Sequence, residues 1–371
     1  MMKIAVLGSG NVGTLISAQM TLKGHEVRLY SRKAHLFGKT IVYEDVDLAV
    51  QQEVELCLVS SNLKEVVTGT DLVIVTVPSF AIKELMERVF PLIDITTRVM
   101  FFPGTGGVEF YCKEFVEAGG VVFGSQRVCS VARLKEYGKH VIGSGKRTEM
   151  FVAAIPSQYG EEAKNLIESF FDIKTTALPN YLSVTFTPSN PILHTSRLYA
   201  LFNDYDPEVG YDSIPLFYEE WSLEASEVLI ALDAEVQEMC RLIPLDLTDV
   251  RSLLLHYESE DAVQLKNKIC SIGSFKGLTT PQIEKNGKKH PDLESRYFTA
   301  DFPYGLLILK AFANICNMKT PMMDKVIGWY QQLIGKEYLT ENMGLGKDSM
   351  DITLPQHYEI ETIDDIVKYY E

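Results

Sequence analysis

The hydrophobic pattern of the first third of the chain alternates between short strand-like runs and helical stretches. Lys3–Leu7 (KIAVL) is a short apolar run that meets glycines at once. From Asn11 to Lys23, Val12, Leu15, Ile16 and Met20 fall on one helical face, and Gly24 stops the pattern. Glu26–Tyr30 predicts a second strand. Asp71–Val77 (DLVIVTV) is continuously apolar, as expected of a strand buried on both faces. Pro78 ends it, and Ser79 is the expected cap of a helix running to Val89. Arg98–Phe102 predicts another buried strand, and further strands are expected at Val121–Phe123, His140–Ile142, Met150–Ile155 and Lys174–Leu178, with a helix over Ser157–Phe171. Strands and helices taking turns in this way predict an α/β fold, a doubly wound parallel sheet with helices on both faces.

Past Asn180 the texture changes. Leu223–Leu242 is strongly helix-forming, without Gly or Pro, and Pro303–Cys316 and Pro321–Leu333 give two more helical patterns. Few alternating segments follow residue 183, so the expected division is a nucleotide-binding domain over 1–182 and an all-α domain over 183–371. Lys285–His290 (KNGKKH) is expected to be a solvated basic loop. A length of 371 residues agrees with two domains, and 46% apolar with 23% charged residues is ordinary for a soluble globular chain. The net charge of -15 disfavours nucleic acid and anionic membranes as partners, while leaving room for a local basic pocket. The six cysteines are scattered without a CxxC, so free, mostly buried thiols and no metal site are expected. A strand-like run begins within three residues of Met1, leaving no room for a signal peptide, and no apolar run approaches the roughly 18 residues of a membrane span. A cytoplasmic protein is the expectation.

Gly8-Ser9-Gly10-Asn11-Val12-Gly13 fits G-x-G-x-x-G. It follows a strand-like run and opens a helix, the context a dinucleotide fingerprint requires, and points to a Rossmann-type domain. Gly8 would allow the tight turn, Gly10 would let the backbone approach a pyrophosphate, and Gly13 would let helix and strand pack closely. The helix N-terminus would offer free N–H groups to the phosphates. At the end of the second strand, where an NAD site places a carboxylate for the ribose 2′-hydroxyl, the sequence reads Tyr30-Ser31-Arg32-Lys33. A hydroxyl and two cations suit a 2′-phosphate, so NADP(H) is expected in preference to NAD(H), with Ser31 and Arg32 as its contacts. Topology places Pro78 beside the same cofactor.

Hydride chemistry on a carbonyl or imine also needs a proton donor. Of seven histidines, His194 is singled out. It lies in Thr187-Pro188-Ser189-Asn190-Pro191-Ile192-Leu193-His194, a polar stretch just past the expected boundary, with two prolines fixing the approach of the chain. A second unusual stretch, Ser295-Arg296-Tyr297-Phe298-Thr299-Ala300-Asp301-Phe302-Pro303-Tyr304-Gly305-Leu306, gathers a cation, a carboxylate and aromatics ahead of a helix. Spacing alone leaves Asp301 open to an ordinary role as that helix's N-cap.

Gly8–Gly13, Asn190–His194, Arg296-(x4)-Asp301 with Tyr304-Gly305-Leu306, and Thr320-Pro321-Met322-Met323-Asp324 together resemble the octopine/nopaline dehydrogenases, the opine dehydrogenase family. The resemblance runs over nearly the whole chain in the same order. It implies a Rossmann domain joined to an α-helical domain, with substrate in the cleft between them. It also implies condensation of an amino acid with a 2-oxo acid, the imine then being reduced with NAD(P)H. His194 would be the general acid/base, Asp301 would hold its other nitrogen, and Arg296 would bind a substrate carboxylate. Gln126, in Gly124-Ser125-Gln126-Arg127, is a further candidate substrate contact. Two features depart from the family pattern: the acidic residue missing after the second strand, and Ala300 where Glu is frequent. A homodimer is left open, as is a larger amine donor of the opine-metallophore kind. The competing readings are a 2-oxo acid reductase of the ketopantoate or glycerol-phosphate dehydrogenase type, and a non-catalytic NADP(H) sensor.

Overall fold

The computed structural model describes residues 1–187 and 189–371. The chain forms two compact units, one of Met1–Thr185 with Tyr370–Glu371, the other of Phe186–Tyr369. The strands of the first unit are β1 (Lys3–Leu7), β2 (Glu26–Tyr30), β3 (Ile41–Asp45), β4 (Val50–Val54), β5 (Leu58–Ser60), β6 (Leu72–Val75), β7 (Arg98–Phe101), β8 (Val121–Ser125), β9 (Val131–Glu136), β10 (His140–Ser144), β11 (Glu149–Ile155) and β12 (Lys174–Ala177). Its helices are α1 (Asn11–Leu22), α2 (Leu63–Val67), α3 (Ile82–Val89), α4 (Lys113–Glu117), α5 (Gly160–Phe171) and α6 (Leu182–Thr185).

Eight strands form one sheet in the order β12-β11-β8-β7-β6-β1-β2-β5. All its pairs are parallel except β8 with β11. The central strands are apolar without alternation because both faces are covered: Ile4 to Leu7 are fully buried, and Leu72 to Val75 nearly so. The chain runs outward from β1 through β2 to β5, then returns to β6 on the other side of β1. That reversal leaves a crevice at the carboxyl ends of β1 and β6, where open α/β sheets take their ligands. A second sheet, β4-β3-β10-β9, lies over α1, and Gly143 lets the Leu15 side chain approach closely. Three of its strands are absent from the hydrophobic reading for a physical reason. β4 and β9 are mostly exposed along their length, and β3 only half covered, so none offers the apolar run that announces a buried strand.

The second unit contains α7 (Asn190–Phe202), α8 (Leu223–Leu242), α9 (Leu253–His256), α10 (Ala262–Ser271), α11 (Arg296–Thr299), α12 (Leu307–Ile315), α13 (Pro321–Ile334) and most of α14 (Ile363–Tyr370). Helices dominate it, with one correction. The basic segment expected as a loop is a hairpin of β13 (Gln282–Lys285) and β14 (Lys288–Pro291). Asn286 and Gly287 turn it in left-handed conformations, at φ 54° and 74°, the chemistry of a two-residue hairpin turn. His290 is buried there, its ring bonded to the Tyr205 hydroxyl at 2.9 Å.

Two helix starts also differ from expectation. Ser79 caps nothing with its side chain; it opens a 3-10 turn, Ser79–Ala81, ahead of α3. The helix expected from Pro303 begins as a π turn over Phe302–Leu306 and becomes regular only at Leu307. Among the cysteines only Cys112 and Cys129 are buried, fewer than expected, while Cys57 is exposed and Cys240, Cys270 and Cys316 lie between. No helix among the described residues is long and apolar enough to cross a membrane.

Candidate active site

The glycine loop joins β1 to α1, and each glycine has a separate steric reason. Gly8 sits at φ 113°, and a Cβ there would lie 2.8 Å from Thr76 Oγ1. A Cβ on Gly13 would stand 1.8 Å from the Gly8 carbonyl oxygen, inside any contact distance. Gly10 is different: a Cβ there would meet nothing within 4 Å. Its α-carbon faces open space at the N-cap of α1, a helix with no side-chain cap and no acidic residue in its first turn. Free N–H groups beside a bare α-carbon are what a pyrophosphate needs, so these residues fit a dinucleotide. Thr76 fastens the loop, donating to the Leu7 and Gly8 carbonyls at 3.1 and 3.2 Å. Asn11 holds the other side by accepting from the Leu134 N–H at 2.9 Å, and Val12 packs on the core. Pro78 is half-buried just past β6.

At the end of β2, Ser31 is buried, and Arg32 and Lys33 are exposed. Ser9 Oγ donates to Ser31 Oγ at 2.8 Å, so both serines share one polar cluster beside the loop. No acidic side chain follows β2 before residue 44. Gln126 follows β8 directly. Its amide donates to the Ser183 carbonyl at 3.1 Å, which fixes the side chain at the carboxyl end of the sheet.

In the second unit, His194 lies on the first turns of α7, which Pro191 opens. Pro188, the other proline of the approach, lies outside the described residues. The structure brings His194 and Asp301 together across 107 positions of chain: Nδ1 stands 2.7 Å from Asp301 Oδ2. Asp301 therefore does not cap the helix that follows it. Gly305 explains the meeting, because a Cβ there would lie 2.8 Å from the Pro191 ring. Only a glycine lets the π turn settle against the start of α7, and that turn carries Asp301.

The other imidazole nitrogen has a partner that sequence reading missed. Tyr218 Oη stands 2.6 Å from His194 Nε2. Burial first, then the neighbouring Tyr297, Tyr257 and Asp301, pushes the Tyr218 phenol well above its ordinary range, so it remains a hydroxyl. An ionised Asp301 only accepts, which puts the ring proton on Nδ1 and leaves Nε2 to accept from Tyr218. Tyr297 covers one face of the imidazole with ring centroids 4.3 Å apart, and Phe217 meets it edge-on at 5.4 Å. Arg197, one turn after His194 on α7, secures the segment carrying Tyr218. Its buried guanidinium donates to the carbonyls of Leu216, Phe217 and Glu220. Burial lowers this guanidinium to about 10, still far above neutrality. Tyr218 sits in an ordinary aromatic stretch, Phe217-Tyr218-Glu219-Glu220-Trp221, with no motif to flag it.

Arg296 opens α11 and is exposed, without a side-chain hydrogen bond or ion pair among the described residues. The Thr320–Asp324 stretch is structural. Glu235 accepts from the Met322 and Met323 N–H groups at the start of α13, and buried Lys310 pairs with Asp324 at 2.6 Å and donates to Thr320 at 2.8 Å.

Two family descriptions match the chain in tandem. Residues 4–149 match ketopantoate reductase PanE/ApbA, and residues 177–334 match the NAD/NADP octopine/nopaline dehydrogenase, alpha-helical domain. Tauropine dehydrogenase of Arabella iricolor is 29% identical, covering 99% of this chain and all of the relative. Octopine dehydrogenase of Pecten maximus is 26% identical and covers 98% of both chains. A solved octopine dehydrogenase with NADH and L-arginine superposes with a TM-score of 0.86 at 25% identity, over 99% of this chain and 98% of the other. The segment 177–334 contains His194, Tyr218 and Asp301, and the full-length relatives extend the likeness through the glycine loop. Over nearly its whole length the chain is therefore similar to opine dehydrogenases, oxidoreductases that act on CH–NH bonds.

Proposed function

We propose that this chain is an NADP(H)-preferring opine dehydrogenase. In this reading it joins the amino group of an amino acid to the carbonyl of a 2-oxo acid such as pyruvate, with loss of water, and reduces the imine to a secondary amine. The observation that carries the reading is one mostly buried imidazole held by a carboxylate at Nδ1 and by a phenol at Nε2. Asp301 fixes the ring and its tautomer, so proton exchange is confined to Nε2. Protonated there, His194 passes a proton by way of the Tyr218 hydroxyl to the carbinolamine hydroxyl, which leaves as water; the neutral ring then takes up, by the same route, the proton that the nitrogen gives off. Tyr218 and Tyr297 keep bulk water from the ring. Arg296, exposed and without a side-chain partner among the described residues, supplies a guanidinium for the substrate carboxylate, and Gln126 is a weaker candidate contact.

The cofactor, when bound, supplies the hydride. Gly8 to Gly13 would hold its pyrophosphate side. Ser31 and Arg32 would face its 2′ end, Pro78 would lie beside it, and NAD(H) is the second choice. Support for the NADP preference is the missing carboxylate after β2 and the exposed Arg32.

The test is oxidation of NADPH or NADH with pyruvate, 2-oxoglutarate or glyoxylate, with and without a panel of amino acids. Turnover should require the amino acid, and NADPH should be favoured by about tenfold or more in kcat/KM, the worth of one charge-assisted hydrogen bond. Oxidation with an oxo acid alone would replace this reading by a 2-oxo acid reductase, which the match of residues 4–149 favours. Cofactor binding with no turnover in any combination would leave a sensor.

A further inference from the structure

The hairpin between β9 and β10 reaches the glycine loop from the second sheet, and its tip carries Tyr137. The Tyr137 hydroxyl lies 2.6 Å from Ser9 Oγ and 3.0 Å from Ser31 Oγ. Three neutral hydroxyls thus converge beside the second position of the glycine loop and the end of β2, where NAD-reading sites place a carboxylate. The tip is fixed tightly. A Cβ on Gly138, at φ 74°, would stand 2.6 Å from the Leu36 carbonyl oxygen, so only glycine lets the hairpin press on the turn after β2. The Tyr137 ring meets Phe37 edge-on at 5.4 Å, and Lys33 Nζ lies 5.9 Å from its centroid.

The proton count gives this cluster a direction. Ser31 Oγ already accepts from Ser9 and from the Lys33 N–H at 3.1 Å. Its own proton is then free for Tyr137, and the phenol proton is left for Ser9 or for a group arriving from outside. We propose that Tyr137 is a specificity-determining residue for the cofactor, its hydroxyl donating to the 2′-phosphate of the adenosine ribose. The inserted sheet thus completes a subsite whose other walls are Ser9, Ser31 and the cations Arg32 and Lys33. This rests on the NADP(H) reading above. Tyr137 is half-buried, and its hydroxyl adds a donor where a carboxylate would repel phosphate.

The experiment is calorimetric titration of the wild-type protein and of Tyr137→Phe with adenosine 2′,5′-bisphosphate and with 5′-AMP, neither of which requires turnover. Wild-type protein should prefer the bisphosphate. Tyr137→Phe should weaken the bisphosphate by about tenfold, the loss of one hydrogen bond to a charged group, and leave 5′-AMP within about twofold. Unchanged 5′-AMP affinity also shows that the loop is intact, since the ring against Phe37 remains. A variant that keeps the full bisphosphate preference, or loses both ligands equally, overturns the role of Tyr137 alone. Wild-type protein that binds the two ligands alike overturns the 2′-phosphate reading and this inference with it.

Discussion

The glycine loop and the His194 cluster solve the same problem, holding polar groups in a fixed geometry, by opposite means. The loop does it within six consecutive residues, where each glycine answers one local clash. The cluster does it with residues 24 and 107 positions from His194, held by Gly305 against Pro191 and by Arg197 against the carbonyls around Tyr218. A local motif tolerates much change elsewhere; a non-local one depends on packing that no single segment controls. The two regions should therefore fail differently.

The largest expected effect is that of His194→Ala. Turnover should fall by about 10²- to 10⁴-fold, while NADPH affinity measured by fluorescence titration stays near wild type. Parallel loss of both would mean that His194 serves folding and would erase the contrast. Gly305→Ala sharpens it. Its Cβ, 2.8 Å from the Pro191 ring, must push the Asp301 turn away from α7, and about a tenfold loss in kcat is expected with cofactor binding intact. A wild-type kcat in that variant would show that the His194–Asp301 distance is not set there.

The smallest effect concerns the first unit and its pH response. Glu109 is fully buried, bonded by the Thr185 hydroxyl and by the Tyr370 hydroxyl at 2.7 Å. Burial pushes its carboxyl up to about 7, against an ordinary 4.5, while those two hydroxyls pull the other way. Because the folded value is raised, its contribution to stability is complete below about 4.5 and is lost as pH rises through about 7. That loss is worth about 3 kcal/mol at most. Glu109→Gln cannot ionise, so its thermal midpoint should decline less between pH 5 and pH 8 than that of the wild type. An identical decline in both proteins would assign the pH response to other groups.

Much of the first unit was legible because its signals are local. β1, β2 and α1 follow from runs and periods a few residues long, and the parallel sheet follows from strands with no polar alternation. The inserted sheet was not legible, since solvent covers much of β3, β4 and β9 and their side chains are free to be polar. The hairpin over KNGKKH was read as a loop because its strands are four residues each and largely charged, although Asn286-Gly287 carried the turn signal. The same blindness hid Tyr137, which the inserted sheet brings to the glycine loop.

The sequence alone determined where a dinucleotide pyrophosphate could sit, because a bare α-carbon and a free helix end are properties of neighbouring residues. It also marked His194 and Asp301 as unusual, through the stretches around them. Only the tertiary structure decided that they face each other, that Tyr218 takes the remaining nitrogen and that Tyr137 joins Ser9 and Ser31. Such contacts are fixed by the packing of whole helices and sheets, where a shift of one side chain's width makes or breaks a hydrogen bond, and spacing along a chain does not encode that distance.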